Sequence, residues 1–183
     1  MGGHGSAYER ELKGLLQAEP AALRRYGTSL PPLRRRALRS ATRSPFLVVR
    51  AAGSHGFDLV ALRNEFAFPI EVKASSRAAI HFSAASGRAS LQLESHRRAV
   101  DAVGLIVLYA YRRLRFRDGD CWRLFSVPGP PGRGTVDLLR RRLPTIDTTR
   151  DGTAVLRWDA GMPLTEFFEL VAFLTERTAT ARP

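Results

Sequence analysis

At 183 residues with 44% hydrophobic content, the chain suits one domain with a sizeable core. No apolar run approaches the roughly 20 residues of a membrane span, the N-terminus lacks a secretory pattern, and the single cysteine, Cys121, excludes an intramolecular disulfide and a cysteine-based zinc site, so a cytoplasmic location is expected. A formal charge of +12 and a pI near 11.3 favour a polyanionic partner. Nucleic acid ranks ahead of an anionic membrane surface, because no basic amphipathic helix has a clean apolar face.

Residues 1–5 are Gly-rich. Ser6 is placed to cap a helix running to about Ala18, with Tyr8, Leu12, Leu15 and Leu16 as one stripe and Glu9 beside it. Glu9 by itself reads as a capping partner or an i,i+4 pair with Lys13. Residues 19–45 are the most polar long stretch, carrying Arg24, Arg25, Arg34, Arg35, Arg36, Arg39 and Arg43 with no acid after Glu19. Pro31-Pro32 breaks this stretch, and a helix over about 32–40 is possible. It reads either as a DNA-backbone contact element, ordered on binding, or as a solvated loop.

Phe46 to Arg50 makes a first strand. Two runs follow, Gly53 to Leu62 and Pro69 to Lys73, joined by a turn at Asn64-Glu65. Pairing them antiparallel sets residue 63 opposite 66, and counting outward sets Asp58 opposite Glu71. Glu71 and Lys73 then share a face by strand alternation. Leu59, Ala61, Phe68, Ile70 and Val72 fall on the other face. Val60 and Leu62 on the charged face suggest burial on both sides. Pro69 cannot donate to a ladder and points to a bulge near Val60.

Beyond this, 81–83 is a short extended piece and 84–89 a Ser/Gly-rich loop. Ser90 caps a helix through about Val103 with Gln92 in its first turn. Gly104 to Tyr109 is a buried-type strand. Arg112, Arg113, Arg115 and Arg117 ride a hairpin turning at Asp118-Gly119 and returning over 121–127. After Gly129-Pro130-Pro131-Gly132, Thr135 caps a short helix ending at Arg142. A small hairpin joins 145–146 to 154–156 through Asp151-Gly152. A last helix runs from near Pro163 to about Arg177, with an apolar face wide enough to suggest partial burial by a second subunit.

The paired strands carry the chemistry. Two carboxylates, Asp58 and Glu71, with Cβ atoms about 5 Å apart repel each other, and a divalent cation resolves that repulsion. The alternative is a structural salt bridge from either acid to Lys73. Every basic residue other than Lys13 and Lys73 is arginine, which singles out position 73 as wanting a compact, tunable ammonium. His4, His55, His81 and His96 share no metal-ligand spacing. His55, in the loop before Asp58, reads as an ordinary loop residue or a phosphate contact.

Three motifs occur in order: Gly5-x-x-x-Glu9-Arg10-Glu11, Gly53-Ser54-x-Gly56-x-Asp58-Leu59-Val60 and Ile70-Glu71-Val72-Lys73. On their predicted elements they resemble the archaeal-type Holliday junction resolvases, a branch of the restriction-endonuclease-like nucleases, from about Gly5 to Val127. The resemblance implies an α/β fold with a central mixed sheet of about five strands flanked by helices. It implies one nuclease domain over 1–183, with an Arg-rich insertion at about 19–45 and a hairpin–helix extension at about 128–183. By the same resemblance Glu9, Asp58 and Glu71 are metal ligands, Lys73 is catalytic and Ser54 lies near the scissile phosphate. Mg²⁺, or Mn²⁺ in its place, is the implied cofactor, and a homodimer on branched DNA, the four-way junction, is the implied assembly. Arg10, the seven arginines of 24–43, Arg50 and His55 are candidates for nucleic-acid contact. Phe57 stands where the wider superfamily often has proline. The Arg-rich segment replaces a normally short connection, which opens the substrate to change. Rival expectations are a related endonuclease acting on other branched, modified or linear duplex DNA, a non-catalytic junction-binding protein, and a basic RNA-binding protein, the last without an aromatic stacking motif to support it.

Overall fold

The computed structural model describes residues 5–43, 45–51, 56–83, 87–116 and 119–180. Helices α1 (Gly5–Leu16), α2 (Pro20–Gly27) and α3 (Pro32–Arg43) precede strands β1 (Leu47–Arg50), β2 (Leu59–Arg63), β3 (Phe66–Ser75) and β4 (Ala79–Phe82). Then come α4 (Arg88–Val103), β5 (Leu108–Arg113), β6 (Trp122–Ser126), α5 (Gly134–Arg142), β7 (Asp147–Thr148) and β8 (Ala154–Arg157). A 3-10 turn over 158–160, β9 (Met162–Pro163) and α6 (Leu164–Thr180) complete the chain. The central sheet has six strands in the order β1-β2-β3-β5-β6-β9, with one parallel pair, β3 and β5. It is the mixed α/β architecture expected, with β9 as an added edge. A second sheet runs β4-β8-β7.

One face of the central sheet packs Leu59, Ala61, Phe68, Ile70, Leu108 and Leu124 against α1, α2, α3 and α6. Each leucine, isoleucine or phenylalanine among them taken from water contributes about 1.5–3 kcal/mol. On the other face Tyr109, Tyr111 and Phe125 meet α4 through Leu93 and Val100, and the small sheet through Phe82 and Leu156. The β2–β3 register is the one the turn dictates: Arg63 faces Phe66 and Leu59 faces Ile70, with Asn64 taking a φ of 50° between them. Val60 pairs with Pro69 without the expected bulge. The Val72 N–H and the Ile70 carbonyl both face β2, so alternation turns the Pro69 nitrogen toward β5, where pairing starts only at Ile70. No ladder bond is lost there. Leu62, Leu47 and Val49 are exposed, so this end of the second face is open rather than buried.

The segment 19–45 departs most from expectation. Its second half is the helix expected from Pro32, extended to Arg43, and its first half is a further helix, so it is not a solvated loop. Leu23, Tyr26, Leu30, Leu38 and Ala41 are buried in the main core. Pro20 and Pro32 open the two helices at positions where the missing N–H costs nothing. The Tyr26 hydroxyl donates to buried Asp120, which also accepts from the N–H and hydroxyl of Thr165, both at 2.9 Å. Arg34 pairs with Glu166 at 2.5 Å and Arg43 with Glu176 at 3.7 Å, tying α3 to α6.

Smaller corrections concern helix starts and one hairpin. Ser6, Ser90 and Thr135 lie inside their helices rather than capping them. Gly87 caps α4, and the Ser90 hydroxyl donates to the Gly87 carbonyl at 2.8 Å. Thr145 bridges Ser126, and the hairpin partner of β8 begins two residues later at Asp147. Leu164, Phe167, Phe168, Val171 and Leu174 of α6 are covered by this chain itself, leaving Phe173 exposed, so the wide face does not require a second subunit. Cys121 is buried, which pushes its thiol up to about 12. Among the described residues no helix is long and apolar enough to cross a membrane.

Candidate active site

Asp58 stands just ahead of β2, where the ladder to β3 ends. Its N–H donates to the Ile70 carbonyl and its carbonyl accepts from the Ala51 N–H, both at 3.0 Å. Its Oδ2 accepts the Val72 N–H at 2.7 Å. The carboxylate thus takes the place of a main-chain acceptor, and this fixes the side chain against β3. Glu71, 4% exposed, points to the same face as Lys73 because they are two apart on one strand. Lys73 Nζ donates to Glu71 Oε1 at 2.7 Å. Glu71 Oε2 is buried and has no hydrogen-bond partner among the described residues.

Burial pushes the Glu71 carboxyl up to about 7; the Lys73 ammonium opposes this and the neighbouring Asp58 adds to it. Burial also raises Asp58, against the Val72 N–H, with Glu9 adding to the rise. The two carboxyls are close enough to interact directly. One ammonium compensates one of two acids, Glu71 buried and Asp58 half-buried, so the pair needs a shared proton or a further cation. A purely structural Lys73–Glu71 bridge would leave Oε2 unexplained. A hard divalent cation takes carboxylate oxygens of this kind, so Asp58 and Glu71 fit Mg²⁺ or Mn²⁺.

Glu9 is less centred than the spacing suggested. Its Oε2 accepts from Arg50 at 2.7 Å rather than from Lys13, while it stays within electrostatic range of Asp58. Among the described residues no group of three His, Cys, Asp or Glu side chains closes on one point. Two acids and a lysine are therefore brought together, with the third acid at the margin. Ser54 and His55 lie outside the described residues.

Helix α4 supplies two partners that the linear motifs did not mark. Gln92 Oε1 accepts from Lys73 Nζ at 3.1 Å, and Gln92 Nε2 donates to the Gly56 carbonyl at 2.6 Å. His96 Nε2 donates to the same carbonyl at 3.0 Å, so its Nδ1 accepts the Tyr109 hydroxyl at 2.8 Å. Burial lowers the His96 pKa, which suits this neutral ring, and Phe57 stacks on it at 4.3 Å. Gly56 has a φ of 74°, where a side chain would be strained. Gln92 and His96 thus both hold the Gly56 carbonyl before Asp58, and Gln92 also holds Lys73. Their i,i+4 spacing was the available signal, but nothing local says which strand that helix face meets.

The arginine candidates divide. Arg34, Arg43 and Arg50 are engaged in ion pairs, and Arg35 donates to the Leu30 carbonyl at 3.1 Å. Arg10, Arg24, Arg25, Arg36 and Arg39 are exposed.

Fold and site together define a mixed α/β protein with an acid pair and a lysine at a strand end. A solved structure similar to this chain is that of Hjc, a Holliday junction resolvase from the hyperthermophilic archaeon Archaeoglobus fulgidus. The two share 20% sequence identity at a TM-score of 0.44, over 74% of this chain and 91% of that one. No protein-family model matches the chain, and no curated protein matches it.

Proposed function

We propose that this protein is a metal-dependent, structure-selective endonuclease that hydrolyses phosphodiester bonds in four-way DNA junctions. The observation that carries the reading is the buried Glu71 Oε2, without a hydrogen-bond partner among the described residues, on a carboxyl that interacts with Asp58 and has Lys73 alongside. The three ordered sequence motifs, which resemble those of archaeal-type resolvases, narrow the substrate to junctions.

Asp58 and Glu71 would hold Mg²⁺, or Mn²⁺ in its place, and Glu9 would act through water. Bound there, the ion supplies positive charge at the scissile phosphate and makes water more acidic. Lys73 spends two of its three N–H donors on Glu71 and Gln92. The third is left for a phosphate oxygen or the attacking water, where it stabilises developing charge. The exposed arginines Arg10, Arg24, Arg25, Arg36 and Arg39 bind flanking backbone, with affinity that falls as salt rises. A homodimer would present two such sites to two strands for symmetric cutting. Exposed Leu47, Val49 and Leu62 on the open sheet face give a second copy an apolar surface to cover.

The test compares a synthetic four-way junction with a linear duplex of the same arms, with and without Mg²⁺. Cleavage of the junction alone, and only with the ion, is expected. Equal cleavage of the linear duplex would remove junction selectivity, and cleavage of neither would remove the nuclease.

A further inference from the structure

A cleft of about 500 Å³ opens beside Lys73, away from Asp58, between the end of β3 and β4. Lys73, Ser75, Arg77, His81 and Ser83 give it its polar lining, and among the described residues no carboxylate lines it. Two acids bear on it from outside: Glu71, paired with Lys73 at 2.7 Å, and Asp151, within electrostatic range of His81. The wall is held by the frame. The Arg77 carbonyl accepts the Tyr111 hydroxyl at 2.5 Å, the Ala78 carbonyl accepts the Trp158 N–H at 2.9 Å, and the Arg77 N–H donates to Ser75 Oγ at 3.1 Å. The Arg77 side chain is left exposed and makes no ion pair with a described residue. A guanidinium fixed at its backbone, beside an imidazole and two hydroxyls, is a set of donors suited to phosphate oxygens.

We propose that this cleft is the track for the cut DNA strand on one side of the scissile bond, with Arg77 as its main phosphate contact and His81 as a second. This rests on the endonuclease reading, because Lys73 belongs both to the acid pair and to the cleft. Four residues of chain span at most about 14 Å, so Arg77 meets a phosphate within about four nucleotides of the scissile one.

The test uses the full chain and synthetic four-way junctions. Each of the four linkages on either side of the cut is replaced in turn by an uncharged methylphosphonate. Arg77→Ala is expected to weaken junction binding and raise KM about 10- to 100-fold with kcat little changed, and Arg77→Lys to recover part of the loss. On one side of the cut, one neutralised linkage should slow the wild type but cost Arg77→Ala nothing further. An unchanged melting temperature shows that the variant is folded. If Arg77→Ala binds and cuts like the wild type while Glu71→Gln does not cut, the cleft is not the track and the nuclease reading stands. If the wild type cuts nothing, that reading fails; metal-free binding then decides the cleft, and equal affinity of wild type and Arg77→Ala overturns it.

Discussion

Replacing Glu71 by glutamine removes one buried charge while keeping the side chain's shape. In the metal-free protein the Glu71 pKa is raised from an ordinary 4.5 to about 7, chiefly by burial. Between those values the folded chain keeps a proton that the unfolded chain has lost. The stabilisation that Glu71 contributes is therefore greatest below pH 4.5 and is lost as pH rises through about 7. At 1.36 kcal/mol per unit the loss is about 3 kcal/mol. The raised Asp58 adds in the same direction. The depressed His96 works oppositely, gaining stability as pH rises toward its unfolded value, and it is common to both proteins. The difference between wild type and Glu71→Gln isolates the carboxyl. Urea melts of both, metal-free at pH 5, 6, 7 and 8, should show the wild type losing stability relative to the variant across that range. Mg²⁺ at about a hundred times its dissociation constant should return about 2.7 kcal/mol to the wild type at pH 8, and little to the variant. Parallel pH profiles with equal Mg²⁺ responses would refute the reasoning, since they would mean that Glu71 neither carries a strained charge nor binds the ion.

Other outcomes follow from the same geometry. Gln92→Ala should lower kcat by about tenfold or more with junction affinity kept, because Lys73 loses one of its two anchors; steady-state cleavage and gel-shift titrations separate the two. Changing Arg24, Arg25, Arg36 and Arg39 together to glutamine should reduce the slope of log affinity against log salt, by about 0.9 for each lost phosphate contact, and leave the fold intact. Deleting the whole 20–44 segment should instead unfold the protein, since its buried side chains belong to the core. Asp120→Ala should cost about 3–5 kcal/mol in a denaturant melt, because Tyr26, Trp122 and Thr165 all donate to that carboxylate.

What could be read beforehand was whatever is decided locally. A two-residue turn at Asn64-Glu65 sets every later pair of the hairpin, so the approach of Asp58 to Glu71 was legible by counting. Alternation placed Lys73 beside Glu71 for the same reason. The helices α2 and α3 were obscured because their arginines mask a narrow apolar stripe of Ala22, Leu23, Tyr26, Leu38 and Ala41. Pro20, opening α2, was the overlooked signal; the helix opening at Pro32 was expected, though only to about Ser40. Partners chosen across the fold left no local trace. Glu9 is tied to Arg50, 41 residues on, and Gln92 reaches Lys73 only once α4 has packed over β3. The pairing of β4 with β8 spans most of the second half of the chain, and nothing within either strand announces the other.

The central claim is that Asp58 and Glu71 act on a phosphodiester bond rather than merely bracing a sheet. Its most direct test incubates a labelled four-way junction in Mg²⁺ with the wild type, Asp58→Asn and Glu71→Gln at equal concentration, and scores both bound and cut DNA. The account predicts cleavage by the wild type only, with all three proteins binding the junction to nearly the same extent. Cleavage by both variants at the wild-type rate would contradict it.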